Sequence, residues 1–425
     1  MLTIYSDNIS PRLSYIAKVL FEDLLDCPVI LTSDRSGLQG TSALNYSHET
    51  IDGIPYIRPH SLLFEQGVRS IGQSFDDAGK LFPVDSDLVD QDILAASFFL
   101  LTRYEEYLHP DRDRYGRAKA SDSLLFKAGL IERPVVDEWV IQLYQALRHR
   151  FASLPPIQRE FEVLPTFDID VAYCYRGRGF WRRWRSSLKD LFTLKWERWK
   201  ERRRVLNGEQ ADNFDSYSYQ QRICAQSGSK CKHFFLLGNY GPLDKNLSHR
   251  QPILRTLIQD ISSWSDVGIH PSMRSHEKER ILKKEIGRLE KITGQKTTRS
   301  RQHYLKVELP ETYRRLIRQG IEEDYSMGYA DHIGFRAGTC TAFRWYDLLS
   351  EESTPLYVVP THIMDSSLKD YMGLDRESAT ERVLQLRESV QAVNGTLVVL
   401  WHNHSAARQG EWVGWRSVLE SALFG

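Results

Sequence analysis

The feature that most constrains this chain is a recurrence after residue 160. Short apolar runs able to form strands alternate with longer stretches of helical period. The runs are Phe161 to Phe167, Lys232 to Leu237, Val267 to His270, Gln302 to Val307, Leu356 to Pro360 and Thr396 to His402, and helical patterns span Glu277 to Ile292 and Glu377 to Val393. Such alternation predicts an α/β fold with a parallel sheet or barrel, and in such folds functional groups gather at the C-terminal ends of the strands. Asp168, Asp170, His270, His303 and His402 all fall at or near such ends.

The stretch Thr166-Phe167-Asp168-Ile169-Asp170 carries the most chemistry. The two-residue side-chain period of a strand sends both carboxylates to one face. Two anions that close repel, so one stays protonated or a cation sits between them. An Asx-rich turn is the structural alternative.

The chain has 425 residues, enough for two or three domains. Leu154-Pro155-Pro156 is the first clear break, and it divides a smaller N-terminal α/β unit (1–155) from a C-terminal unit (156–425). Fifty-six basic residues balance 56 acidic ones, which argues against a nucleic-acid partner. Within the N-terminal unit, Tyr104-Glu105-Glu106-Tyr107 and the following His109-Pro110-Asp111-Arg112-Asp113 read as a helix end and a charged loop more simply than as a polar site. The N-terminus has no basic start leading into an apolar core, and no apolar run approaches a membrane span, so a cytoplasmic location is expected. The five scattered cysteines read as reduced thiols, Cys224 and Cys231 among them.

An insertion at about 176–210 interrupts the pattern. Arg176 to Arg204 holds twelve Lys or Arg against three Asp or Glu, a local net of +9. Trp181, Trp184, Leu188, Leu191 or Phe192, Trp196 and Trp199 recur at helical steps, so a helix there carries an aromatic stripe and a cationic face. It suits peripheral contact with an anionic membrane surface, or docking on the protein itself.

In order, the motifs are Thr166-Phe167-Asp168-Ile169-Asp170, Gly268-Ile269-His270-Pro271-Ser272, Ser300-Arg301-Gln302-His303-Tyr304-Leu305, Asp324 to Ala330, Gly334-Phe335-Arg336-Ala337-Gly338-Thr339 and Leu400-Trp401-His402-Asn403. Together they resemble the NodB-like polysaccharide deacetylases of carbohydrate esterase family 4, over about residues 161 to 425. The branch resembled is the Bacteroidetes-type one that carries an extra N-terminal domain. The resemblance implies a (β/α) barrel, distorted or seven-stranded. It implies Asp168 as general base, Arg301 holding that base ionised, His402 as general acid, and Asp170 and His270 as ligands of a divalent metal. Zinc is the expected metal, with iron, cobalt or nickel as alternatives.

The second motif departs from the family's His-x-x-x-His, because His276 comes two residues late. Either His276 reaches the metal from a longer loop, which is favoured here, or His303 replaces it, or only two protein ligands remain. Arg336, Asp324 and Tyr304 are candidate substrate contacts. His332, His362, His404 and Asp365 also fall near strand ends and are read as supporting or surface groups. The function implied is removal of acetyl groups from a saccharide in surface-polysaccharide synthesis, at the inner membrane face. The alternatives are a non-catalytic saccharide-binding or scaffold protein, or a hydrolase of another C–N bond.

Overall fold

A computed structural model describes residues 1–72, 74–109, 111–178 and 196–425. Strand β1 (Leu2–Tyr5) is the middle strand of a small parallel sheet, between β2 (Val29–Thr32) and β3 (Ala43–Asn45). The apolar stretch after Gln91 forms the helix Ile93–Leu101, buried on every side as its lack of a polar face requires. Asp92 caps it, its carboxylate accepting the Ala95 N–H at 3.0 Å.

The rest of the chain builds a nine-stranded sheet from β4 (Glu162–Ile169), β5 (Lys232–Phe235), β6 (Asp266–Ile269), β7 (Arg299–Ser300), β8 (Glu323–Met327), β9 (Phe343–Asp347), β10 (Glu352–Pro360), β11 (Ile363–Met364) and β12 (Thr396–His402). Their order is β11-β12-β4-β5-β6-β7-β8-β10-β9, and all neighbours are parallel except β10 and β9. Between β10 and β11 the Thr361 N–H donates to Met327 O (2.9 Å) on the β8 side, and the His362 N–H donates to Val398 O (3.1 Å) in β12. The chain itself therefore completes the ring at this corner. The result is a curled, mainly parallel sheet with β9 as an antiparallel side strand.

The strand expected over Gln302 to Val307 is not formed. Only Arg299–Ser300 pairs, because Tyr304 and Leu305 take positive φ values of 64° and 53° and turn the chain out of the extended state. The two long helices lie where their apolar spacing places them, at Glu279–Thr293 and Arg376–Ala392.

The N-terminal segment packs directly on the barrel. Tyr15 and Phe98 meet Tyr346 of β9 with ring centroids 4.8 and 5.3 Å apart, and the Tyr15 hydroxyl donates to Arg344 O at 2.7 Å. The exposed edge that β9 would otherwise present is covered in this way. One apolar cluster runs from Leu2 to Leu423 through both parts. Gly334, at φ 120°, lies so near the N-terminal segment that a Cβ there would sit 2.4 Å from Ile131 O.

Trp181, Trp184, Leu188, Leu191 and Phe192 of the basic insertion lie outside the described residues. Trp196–Leu206 is helical, Trp196 is half exposed, and the Arg202 guanidinium lies 5.4 Å over the Tyr175 ring. No helix of the described residues is long and apolar enough to cross a membrane.

The cysteine expectation needs correction. Cys224 and Cys231 form a disulfide, with Cα atoms 5.8 Å apart. Gly228 ends the Tyr217–Ser227 helix in the left-handed conformation and turns the chain back toward β5, which brings the two residues together. Thiol titration of the denatured, unreduced protein should count the three free cysteines, Cys27, Cys174 and Cys340, and five after reduction. Replacing Gly334 by Ala should destabilise the fold by at least about 2 kcal/mol in thermal or denaturant unfolding, since it combines a disfavoured φ with a backbone clash.

Candidate metal centre

Parallel register sets out the site. His402, the last residue of β12, pairs opposite Asp168 of β4, and Ile269 of β6 pairs opposite Ser300 of β7. The residues that follow these strands, Asp170, His270, Arg301 and His303, therefore emerge at the same end of the barrel.

Asp170 is the hub. Its Oδ1 lies 3.2 Å from His270 Nε2, and its Oδ2 lies 3.6 Å from His303 Nε2 and 3.8 Å from His402 Nε2. Ligand atoms of Asp170, His270 and His303 all fall within 4.8 Å of one another. The outer nitrogen of each of these two imidazoles is already committed. His270 Nδ1 donates to Arg301 O at 2.6 Å, and His303 Nδ1 donates to Asp244 at 3.0 Å. With that nitrogen donating, either ring in its neutral form presents an Nε2 lone pair to a carboxylate that can only accept. Asp170 Oδ1 is buried without a hydrogen-bond partner.

Lone pairs converging on an acceptor with no proton between them fit a cation, and one carboxylate plus two imidazoles is a donor set suited to zinc and its neighbours. Without a cation, protons take its place. Burial works against a charged His303, but Asp170 and Asp244 outweigh it and lift the imidazole to about 9. Burial also opposes ionisation of Asp170, but His303 and His270 hold its carboxyl well below the usual carboxylate range.

Two further pairs flank this cluster. Arg301, fully buried, donates from Nη1 to Asp168 Oδ1 at 3.0 Å, from Nε to Tyr325 O at 3.0 Å and from Nη2 to Thr361 Oγ1 at 3.2 Å. The other oxygen of Asp168 lies 3.7 Å from His270 Nε2. His402 donates from Nδ1 to Asp365 Oδ1 at 2.7 Å, and its backbone N–H meets Asp365 Oδ2 at 2.7 Å. Burial disfavours the charged ring, but Asp365, with help from Asp170 and Asp168, raises His402 to about 10.

Several expected positions lie elsewhere. His276 does not reach the cluster. Ser272, fixed by Glu285, caps the short helix Met273–Glu277, which carries His276 off to face Glu308 at 3.3 Å. His303 takes its place. Arg336 is not a substrate contact, because it makes a two-pronged pair with Glu106 (2.9 and 2.7 Å) and donates to Gly328 O at 3.2 Å. Burial opposes the Glu106 charge, but Arg336 and Arg103 hold it near 2. Tyr104–Leu108 is a short helix, and at its start Arg103 and Glu106 make a buried polar contact with the barrel through Arg336. Asp324 is also enclosed, accepting from the Ser300 hydroxyl at 2.6 Å and from the Ser326 N–H and hydroxyl, both at 3.0 Å, so it ties β7 to β8. Tyr304 does lie beside the cluster, its ring centroid 4.2 Å from that of His303.

Asp365, read from the sequence as a supporting or surface group, supports the His402 ring. Asp244 lies in the loop after β5 and nothing in its local sequence marks it.

The N-terminal part, residues 2–152, matches a family described only as of unknown function, DUF7033. No curated protein sequence matches the chain. Among solved structures it is similar to a protein from Mycobacterium smegmatis described as a polysaccharide deacetylase (16% identity, TM-score 0.40, 64% of this chain and 86% of that one). It is also similar to a polysaccharide deacetylase from Bacillus cereus (13%, 0.28, 63% and 87%) and to a carbohydrate esterase family 4 pseudoenzyme from Bacillus anthracis (12%, 0.27, 63% and 64%). These likenesses are remote, and the reading of the site rests on its own atoms.

Asp170→Ala, His270→Ala and His303→Ala should each abolish stoichiometric zinc or cobalt uptake measured by elemental analysis, whereas His276→Ala should retain it. Asp244→Asn should weaken uptake about 10–100-fold, the usual effect of removing a ligand's orienting partner. Because metal must displace the His303 proton, affinity should rise with pH up to about 9, and calorimetry in buffers of different ionisation enthalpy should register proton release at neutral pH.

Proposed function

We propose that this chain is a metal-dependent hydrolase that removes acetyl groups from a saccharide. The observation that carries the proposal is the placement of two oppositely prepared groups beside one three-ligand cluster. Asp168 is held by a guanidinium, and His402 is held by a carboxylate. A divalent ion held by Asp170, His270 and His303 supplies Lewis acidity to an acyl carbonyl and to water.

The chain's own residues do the proton work. Arg301 orients Asp168 through its Nη1 hydrogen bond at 3.0 Å, so the Asp168 carboxylate is placed to accept a proton from the attacking water. Asp365 fixes the His402 tautomer and keeps the ring charged through neutral pH, so Nε2 donates a proton to the departing amine or alkoxide. The pair closes the proton balance of acyl transfer to water. The saccharide substrate is inferred from the ordered motifs that resemble NodB-like deacetylases. The scaffold alternative draws on the displaced second histidine, and a cluster of Asp170, His270 and His303 favours the catalytic reading instead. Peripheral membrane contact through 176–204 belongs to the proposal only through its charge and Trp spacing, and retention in the supernatant with anionic vesicles would remove it.

Acetate release from a panel of N- and O-acetylated saccharides is the direct test. Asp168→Asn and His402→Ala should each lower kcat about 10²–10⁴-fold while metal content stays unchanged. Metal-loaded wild type without acetate release on any such substrate, or variants as active as wild type, would refute the assignment.

A further inference from the structure

The N-terminal segment does more than cover an edge strand. Its loop from Asp113 to Arg117 reaches the mouth of the metal centre and touches the residue that follows His303. Tyr304 holds φ 64° and Leu305 φ 53°, two consecutive non-glycine residues in the left-handed region. Such conformations are disfavoured for residues with a Cβ, so the surroundings must enforce them.

The Tyr304 ring lies between two others. One face meets His303, with centroids 4.2 Å apart, and Tyr115 stacks at 4.9 Å with an interplanar angle of 18°. Arg117 donates from Nη1 to Tyr304 O at 3.4 Å and from Nη2 to the Tyr371 hydroxyl at 3.0 Å, and its guanidinium lies 5.0 Å over the Tyr115 ring. That guanidinium is almost fully buried and is anchored by Asp113, which accepts from its Nε at 2.8 Å. Asp113 also accepts the N–H groups of Tyr115 and Arg117, both at 2.9 Å, so the loop is bound to itself before it meets the barrel. Gly116, at φ 80°, passes so close to Lys306 that a Cβ would lie 3.1 Å from its Cε and Nζ. On the far side, the Tyr304 hydroxyl donates to Leu243 O at 3.3 Å, one residue before the Asp244 that holds His303 Nδ1.

We propose that Tyr115 and Arg117 of the N-terminal segment are positioning residues for the metal centre, clamping Tyr304 so that it fixes the His303 imidazole toward Asp170. Asp244 sets the rotation of that ring through one nitrogen, and the clamped Tyr304 sets its plane from the face. The inference rests on the metal-binding reading above, and it gives the N-terminal segment a role in the site itself.

The test uses the full-length chain loaded with cobalt(II), whose visible bands report ligand geometry. Tyr115→Ala and Arg117→Ala should bind cobalt at least about tenfold more weakly and show altered bands, the size of effect expected when support behind a ligand is removed. Tyr115→Phe, which keeps the ring, should restore both. Arg12→Met, which breaks the buried pair of Arg12 with Glu351 just after β9 (Nε to Oε2, 2.9 Å), should lower Tm without changing the bands. If Tyr115→Ala does not fold, Tyr115→Leu carries the same comparison. Variants matching wild type in affinity and spectrum would overturn the clamp alone, as would Tyr115→Phe failing like Tyr115→Ala. A wild type that takes up no cobalt would overturn the clamp together with the metal site.

Discussion

The site depends on one electrostatic constraint, a part-buried carboxylate with one enclosed oxygen, faced by imidazole nitrogens whose protons are spoken for elsewhere. Asp170 can only accept, and His270 and His303 each donate their other nitrogen to a carbonyl or carboxylate. Positive charge must enter the cluster, either as protons on the rings or as a cation. The fold has fixed both imidazoles from behind, so the choice is left open only on the side facing Asp170. That is the arrangement in which a metal gains most, because the ligands are oriented before it arrives.

The same logic of support from behind extends outward through charges that no solvent reaches. Arg301 and Arg336 are both buried, and each is satisfied by a carboxylate and a backbone carbonyl, yet they serve different ends. Arg301 points its pair at the cluster. Arg336 points its pair at Glu106 of the N-terminal segment and locks the loop with Gly334 and Gly338 against it. Removing one partner from such a pair leaves an uncompensated charge in a dry environment, which makes both contacts hard to lose by gradual change. The N-terminal segment is thereby held to the barrel by polar locks as well as by the aromatic contacts at β9.

Local pattern carried much of this in the sequence. The two-residue period of β4 put Asp168 and Asp170 together, and the ends of β6 and β12 marked His270 and His402. What the sequence concealed was set by long-range packing or by unusual backbone. The run after Arg301 has strand-like composition, and only the left-handed turn at Tyr304 and Leu305 swings His303 inward. His276 is two residues late for the second ligand and would reach the cluster only from a longer loop, but a capped helix turns it away. Arg336 and Asp324 look like substrate contacts at strand ends until Glu106, Ser300 and Ser326, distant in sequence or hidden by the fold, claim their polar atoms. The Cys224–Cys231 link likewise depends on a helix end and a strand start meeting, which spacing alone did not reveal.

The closing corner of the barrel explains why the proposed base and acid are set together. Within five residues, Thr361 to Asp365, the chain passes from the β8 side to β12. Thr361 accepts from Arg301 and donates to Tyr325 O at 2.8 Å, which steadies the guanidinium that holds Asp168. His362 bonds to β12 through its N–H and accepts the Val398 N–H at Nδ1 (3.0 Å), and Asp365 then receives both the ring and the backbone N–H of His402. Ring closure and the orientation of both proton-carrying groups are therefore one structural event. A disturbance at this corner would loosen base and acid at once, whereas the ligand cluster, supported from β6, from the loop after β5 and from the N-terminal segment, stands on separate footings.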